Sequence, residues 1–229
     1  MDSESGETGK RALAAYVLPM AAFLGLLVLA SLLRGVGKGF WLVSSEYWIY
    51  PVQTFICGGI LLWFWREYEF HAPKKIVFTF AISLLVFVCW IAPQQFFGCG
   101  PRTNGFDPEL FAGQSAYWTT VILRFVRLVL VVPLVEEIFW RGFLLRYLIN
   151  EKFHRIPVGT FSWLSFAVVT FGFGFSHLPE DRIAALITGA LYNCVAYRTK
   201  SLASCVLTHA ATNFLLGLWI MKTRQWGFW

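Results

Sequence analysis

The chain has 229 residues, of which 57% are hydrophobic and only 14% charged, with a mean hydropathy of +0.60. Soluble domains carry about 25% charged residues, so this composition argues against an ordinary soluble globule and excludes a disordered chain. The net charge is +6, but the 19 Lys and Arg lie scattered at the ends of apolar runs and form no basic stripe, which excludes nucleic acid as a partner. An aromatic share of 18%, with 23 Phe and 11 Trp, suits a membrane protein, because Trp and Tyr collect where apolar and wet layers meet.

The first eleven residues are polar and read as a tail. The run Ala12 to Leu33 is too long for the core of a signal peptide and reads as a retained transmembrane helix. A second run spans Trp48 to Trp65 and a third Ile76 to Ala92, where Pro93 is expected to stop it. A loop follows from Gln94 to Gln114, broken by Gly98, Gly100, Pro101, Gly105 and Pro108.

The next run, Tyr117 to Ile149, would be about 50 Å long as one helix. Pro133 lacks a backbone donor and predicts a kink or break. This run also holds Arg124, Arg127, Glu136, Glu137, Arg141 and Arg146, which a lipid-facing anchor would not carry. Three more runs follow, Thr160 to Ser176, Arg182 to Ala196 and Leu202 to Met221. The predicted fold is an all-α polytopic transmembrane bundle of about seven or eight spans, one of them broken near Pro133. Residues 12–229 form a single transmembrane domain in this reading, with the motif-bearing core at about 115–221.

With seven crossings, the segments on the side of the N-terminus hold Lys10, Arg11, Arg66, Lys74, Lys75, Lys152, Arg155, Arg198 and Lys200. The other side holds Arg34, Lys38, Arg102, Arg182, Lys222 and Arg224. The excess predicts a cytoplasmic N-terminus. Five cysteines show no C-x-x-C spacing and predict neither a metal ribbon nor a redox pair.

Ionisable groups inside spans are costly and mark function by default. Three clusters qualify. In Glu136-Glu137-Ile138-Phe139-Trp140-Arg141, Glu137 and Arg141 stand at i and i+4 and can pair, which leaves Glu136 pointing elsewhere without its nearest cation. His177 ends the stretch Phe173-Gly174-Phe175-Ser176-His177, where Gly172 and Gly174 permit close helix approach. His209 and Asn213 share one face of the last span. Each cluster alone fits an ion pair or an interhelical hydrogen bond. On three separate spans they can meet at one internal point, as a base, a water orienter and oxyanion donors.

These motifs resemble those of the CPBP family, the CAAX-protease and bacteriocin-processing intramembrane endopeptidases. The family pattern EExxxR, FxxxH, HxxxN/D reads here as Glu136, Glu137 and Arg141; Phe173 and His177; His209 and Asn213. The resemblance implies that Glu136 is the general base that activates water, that His177 helps to hold that water, and that His209 and Asn213 stabilise the oxyanion. Glu137 and Arg141 would be the supporting pair. It further implies a membrane-embedded or lipid-modified peptide or protein as substrate, a multi-pass protein of the bacterial inner membrane, and no cofactor.

Other readings of the same residues stay open. A zinc-dependent version of the protease would use Glu136, His177 and His209 as ligands, although no H-E-x-x-H helix exists. A proton-coupled transporter or a membrane scaffold could also hold such residues. Arg124 and Arg127, one turn apart, either snorkel to headgroups or bind a peptide carboxylate or other acidic group of the substrate.

Overall fold

The computed structural model describes residues 2–100, 102, 105–111 and 113–229, with side chains from residue 9 onward. Pro101, expected among the loop breakers, lies outside the described residues, as do Met1 and the side chains of residues 2–8. Eight helices make up the chain: α1 (Asp2–Val36), α2 (Phe40–Val43), α3 (Glu46–Trp63), α4 (Ile76–Phe96), α5 (Gln114–Tyr147), α6 (Trp163–Phe175), α7 (Arg182–Thr199) and α8 (Leu202–Thr223). No strand occurs among the described residues.

Every apolar run read from the sequence is a helix, and the short α2 sits between the first two. Some boundaries move. The polar stretch 2–11 continues α1 rather than standing apart from it. Pro93 does not stop α4, which runs three residues further to Phe96. Pro93 leaves one upstream carbonyl, that of Cys89, without its helical donor, and the helix ends within a turn of it.

The expected break at Pro133 also takes a different form. α5 is continuous from Gln114 to Tyr147, but it contains two π-helical stretches, Val126–Val131 and Ile138–Leu144, on either side of the proline. The wider turn absorbs the missing donor without a chain break, so the run counts as one crossing.

Four helices are long and apolar enough to cross a bilayer: Gly9–Val36 of α1, α4, α5 and α8. The 13-residue α6 covers only about 20 Å. α3 and α7 have 18 residues each but carry Glu46 and Gln53, and Asn193 and Arg198.

The helices alternate in direction, and polar contacts tie each end of the bundle. At the end that holds the N-terminus, Arg11 pairs with Glu67 at 2.7 Å and Arg146 with Glu69 at 2.7 Å. At the other end Arg102 donates to Asp181 at 2.9 Å and Arg224 faces Glu109 at 3.3 Å. Asp181 thus pins the 97–113 loop rather than capping α7, for which its side chain makes no bond.

The bundle is turned inside out relative to a soluble one. Trp163, Ile183 and Phe55 are each at least 70% exposed on its outer face, whereas Glu137, Arg141, Arg146 and Asn193 have no exposed surface. In hydrocarbon the outside needs no polar cover, and ionisable groups are driven inward to partners. The protein is an all-α integral membrane bundle.

Close approach between helices relies on small residues, since lipid provides no hydrophobic drive for their association. A methyl placed on Gly174 of α6 would stand 2.5 Å from Leu186 of α7, and one on Gly172 would stand 3.1 Å from Trp140 of α5. Gly174→Val should therefore lower the thermal stability of the detergent-solubilised protein by about 1–3 kcal/mol. Gly59→Val, in open space on the outer face of α3, should leave it nearly unchanged.

Candidate active site

The site is organised from Glu137. Its side chain has no exposed surface, and its Oε1 accepts from Arg141 Nη1 at 3.0 Å and pairs with His209 Nδ1 at 2.9 Å. The Arg141 pairing across one turn of α5 is the one the spacing predicts. The bond to His209 joins α5 to α8, which run antiparallel, so that residue 137 meets 209 and residue 128 meets 213. Glu137 Oε2 is buried with no hydrogen-bond partner.

Arg141 bonds through all three of its side-chain nitrogens. Besides Glu137 it donates from Nε to Asn193 Oδ1 at 3.2 Å and from Nη2 to the carbonyl of Gly189 at 3.1 Å, both on α7. Its guanidinium lies over the rings of Phe173 and Tyr192. Asn193 in turn donates to Thr170 Oγ1 on α6 at 3.1 Å. One buried network therefore crosses α8, α5, α7 and α6. Asn193 and Thr170 carry it but belong to none of the three motifs. Asn193 was findable as a polar residue within the apolar Arg182 to Ala196 run, whereas Gly189 and Thr170 take part through geometry that spacing does not encode.

Glu136 differs from its neighbour in every respect. It is half-buried, and no hydrogen bond or ion pair engages its carboxylate among the described residues. Arg127 and Tyr192 are both within electrostatic reach of it.

Asn213 is held by the irregularity in α5. In the π-helical stretch each N–H reaches the carbonyl five residues back, as Val132 does with Arg127. Pro133 comes next and would have to serve Leu128, but it has no N–H. Asn213 Nδ2 donates to that Leu128 carbonyl instead, at 2.8 Å, and its second N–H is left over. The proline that suggested a break thus supplies the acceptor that orients a motif residue.

His177 stands apart from the pair on α8. Its Nδ1 meets the Phe173 carbonyl at 2.7 Å, and its ring packs against Trp90 and Phe173. Contacts between rings lead from His177 through Phe173 and Tyr192 to His209. No hydrogen bond joins His177 to Glu136, Glu137 or His209.

Among the described residues no three His, Cys, Asp or Glu side chains come together as a metal-binding group. Glu136, His177 and His209 do not converge as a ligand set, and Glu137 rather than Glu136 touches His209. Arg124 and Arg127 do not snorkel: both are buried, in the first half of α5.

Two hollows are described, one of about 30 Å³ beside Arg124 and Arg127 and an open cleft of about 480 Å³ beside Glu69, His71 and Lys200. Neither is lined by Glu136.

Fold and buried centre define the class: a polytopic helical membrane protein with an ionisable network inside its spans. Residues 117–215, which contain all three motifs, match the family described as Type II CAAX prenyl endopeptidase Rce1-like. The family match agrees with the CPBP resemblance of the motifs. Curated proteins yield no match to the chain, and neither do solved structures.

Two outcomes are expected. Arg141→Met leaves the buried Glu137 carboxylate short of its main counter-ion and should cost about 3–5 kcal/mol in thermal stability, part of which the added change Glu137→Gln restores. Pro133→Ala gives Leu128 a backbone donor, so Asn213→Leu should destabilise the Pro133→Ala protein less than the parent, with a coupling of about 1 kcal/mol in a double-mutant cycle.

Proposed function

We propose that the protein is an intramembrane endopeptidase in which Glu136 activates water to hydrolyse a peptide bond. The observation that carries this reading is the unlike environment of two adjacent carboxylates. Glu137 is locked by a cation and an imidazole, and Glu136 is left with none. A group that must take a proton from water and return it to the leaving amine has to be free to change its charge. A carboxylate held by Arg141 is not.

The remaining roles follow from which atoms are already used. With its Nδ1 bonded to Glu137, His209 turns Nε2 away from that carboxylate. When its ring carries both protons, that Nε2 can donate to the oxyanion of the tetrahedral intermediate. The second N–H of Asn213, one turn along α8, is the other donor. Side-chain donors suit a helical site, where backbone N–H groups are already bonded. His177, with Nδ1 fixed on the Phe173 carbonyl, offers Nε2 to the attacking water.

The substrate in this reading is a membrane-embedded or lipid-modified peptide or protein, in keeping with the prenyl endopeptidase name of the matching family. The excess of basic residues at the end that holds the N-terminus supports a cytoplasmic N-terminus, the bacterial plasma membrane follows from the motif resemblance alone, and residues 12–229 act as one transmembrane domain in this reading.

Glu136→Gln keeps the shape and removes the base. It should abolish cleavage of a prenylated fluorogenic CAAX peptide by the purified protein while leaving its size-exclusion profile in detergent intact. Cleavage at the parent rate would overturn the assignment.

A further inference from the structure

The open cleft of about 480 Å³ has no part in the roles above. It lies at the end of the bundle that holds the N-terminus, and three connections between helices build it. Glu69, His71 and Lys74 come from the stretch between α3 and α4, Pro157 and Val158 from that between α5 and α6, and Lys200 and Leu202 from the junction of α7 with α8. These segments already touch. Ser204 Oγ accepts from the Lys74 backbone N–H at 2.8 Å and donates to the Lys74 carbonyl at 3.1 Å, and Lys200 Nζ donates to the Gly159 carbonyl.

The lining has two characters. Val158 and Leu202 form an apolar, buried wall, whereas His71, Lys74 and Lys200 are exposed. The one acid of the lining is spent, because Glu69 pairs with Arg146 at 2.7 Å. Among the described residues no acid stands within ion-pairing distance of His71, Lys74 or Lys200. The cleft therefore offers uncompensated positive charge beside an apolar wall, and its volume falls in the range of about 300–1,000 Å³ that small ligands occupy.

Position and charge type narrow the ligand. α7 ends at Thr199, α4 begins at Ile76 and α8 at Leu202, so the cleft stands where apolar spans give way to the headgroup layer. Ammonium groups bind phosphate as point charges, and basic pockets between helices at this level attract anionic lipid. We propose that the cleft binds the phosphodiester headgroup of one anionic phospholipid, with Lys74 and Lys200 on the phosphate, His71 at its rim and the glycerol backbone against Val158 and Leu202. A lipid held in this way bridges all three connections and so stabilises the packing of the helices they join.

The purified protein in nanodiscs of neutral phosphatidylcholine, without and with phosphatidylglycerol, provides the test. Phosphatidylglycerol should raise the melting temperature by about 5 °C, and native mass spectrometry should retain one such lipid per chain. Lys74→Gln should weaken retention about fivefold and Lys74→Gln with Lys200→Gln roughly 25-fold, with the thermal shift lost. Lys200 also holds the Gly159 carbonyl, so each variant is compared with itself in neutral lipid rather than with the parent. Lys152→Gln removes an exposed lysine at the same end but outside the cleft, and should keep both the shift and the retention. A parent protein that retains no phosphatidylglycerol, or a retention that Lys74→Gln leaves unchanged, overturns the site. An equal loss with Lys152→Gln also overturns it, in favour of diffuse attraction to a charged surface. A full thermal shift from inorganic phosphate or glycerol phosphate in neutral nanodiscs overturns the lipid source. No cleavage is read, so these outcomes are independent of the role of Glu136.

Discussion

The buried Glu137 carboxylate must be neutralised inside a low-dielectric bundle, and most of the internal order follows from how this is done. Coulomb attraction is strong there, and desolvation is costly, so a carboxylate with no exposed surface persists only with tight partners. Arg141 supplies one from the same helix and His209 another from α8. Because Arg141 has donors to spare, it also fixes α7 through Asn193 and Gly189. A single charge thus sets the relative positions of α5, α7 and α8, and Asn193 carries the network on to Thr170 of α6.

The same charge explains the division between the paired glutamates. Adjacent positions on a helix point about 100° apart, so only one of them can face Arg141 and His209. Once Glu137 occupies that position, Glu136 turns to a half-buried place without a partner. A locked and an unpaired carboxylate stand on two neighbouring residues, and the locked one is the more deeply buried.

A second constraint comes from the backbone of α5. In hydrocarbon each carbonyl needs a donor, and a proline just after a π-helical stretch removes the one that Leu128 would have had. Asn213 fills the gap and is held by it. The proline is then less a breaker than a way to expose one acceptor to a neighbouring helix.

Composition and run lengths by themselves determined the helical class and the place of each long helix along the chain, because hydrophobic length is a local property. Spacing determined the Glu137–Arg141 pair, since i and i+4 always share a helix face. The distribution of charge singled out the motif residues. Only the tertiary structure decided that Glu137, and not Glu136, meets His209. That depends on the rotation of α5 against α8, which the sequence of neither helix encodes. It also decided that Pro133 widens a turn rather than breaking a span, that Asn193 completes the network, and that Arg124 and Arg127 are buried around one cavity instead of reaching for headgroups. In each case the physical cause is a contact between helices distant in sequence, where one buried polar atom is satisfied or left unsatisfied by what the other helix brings.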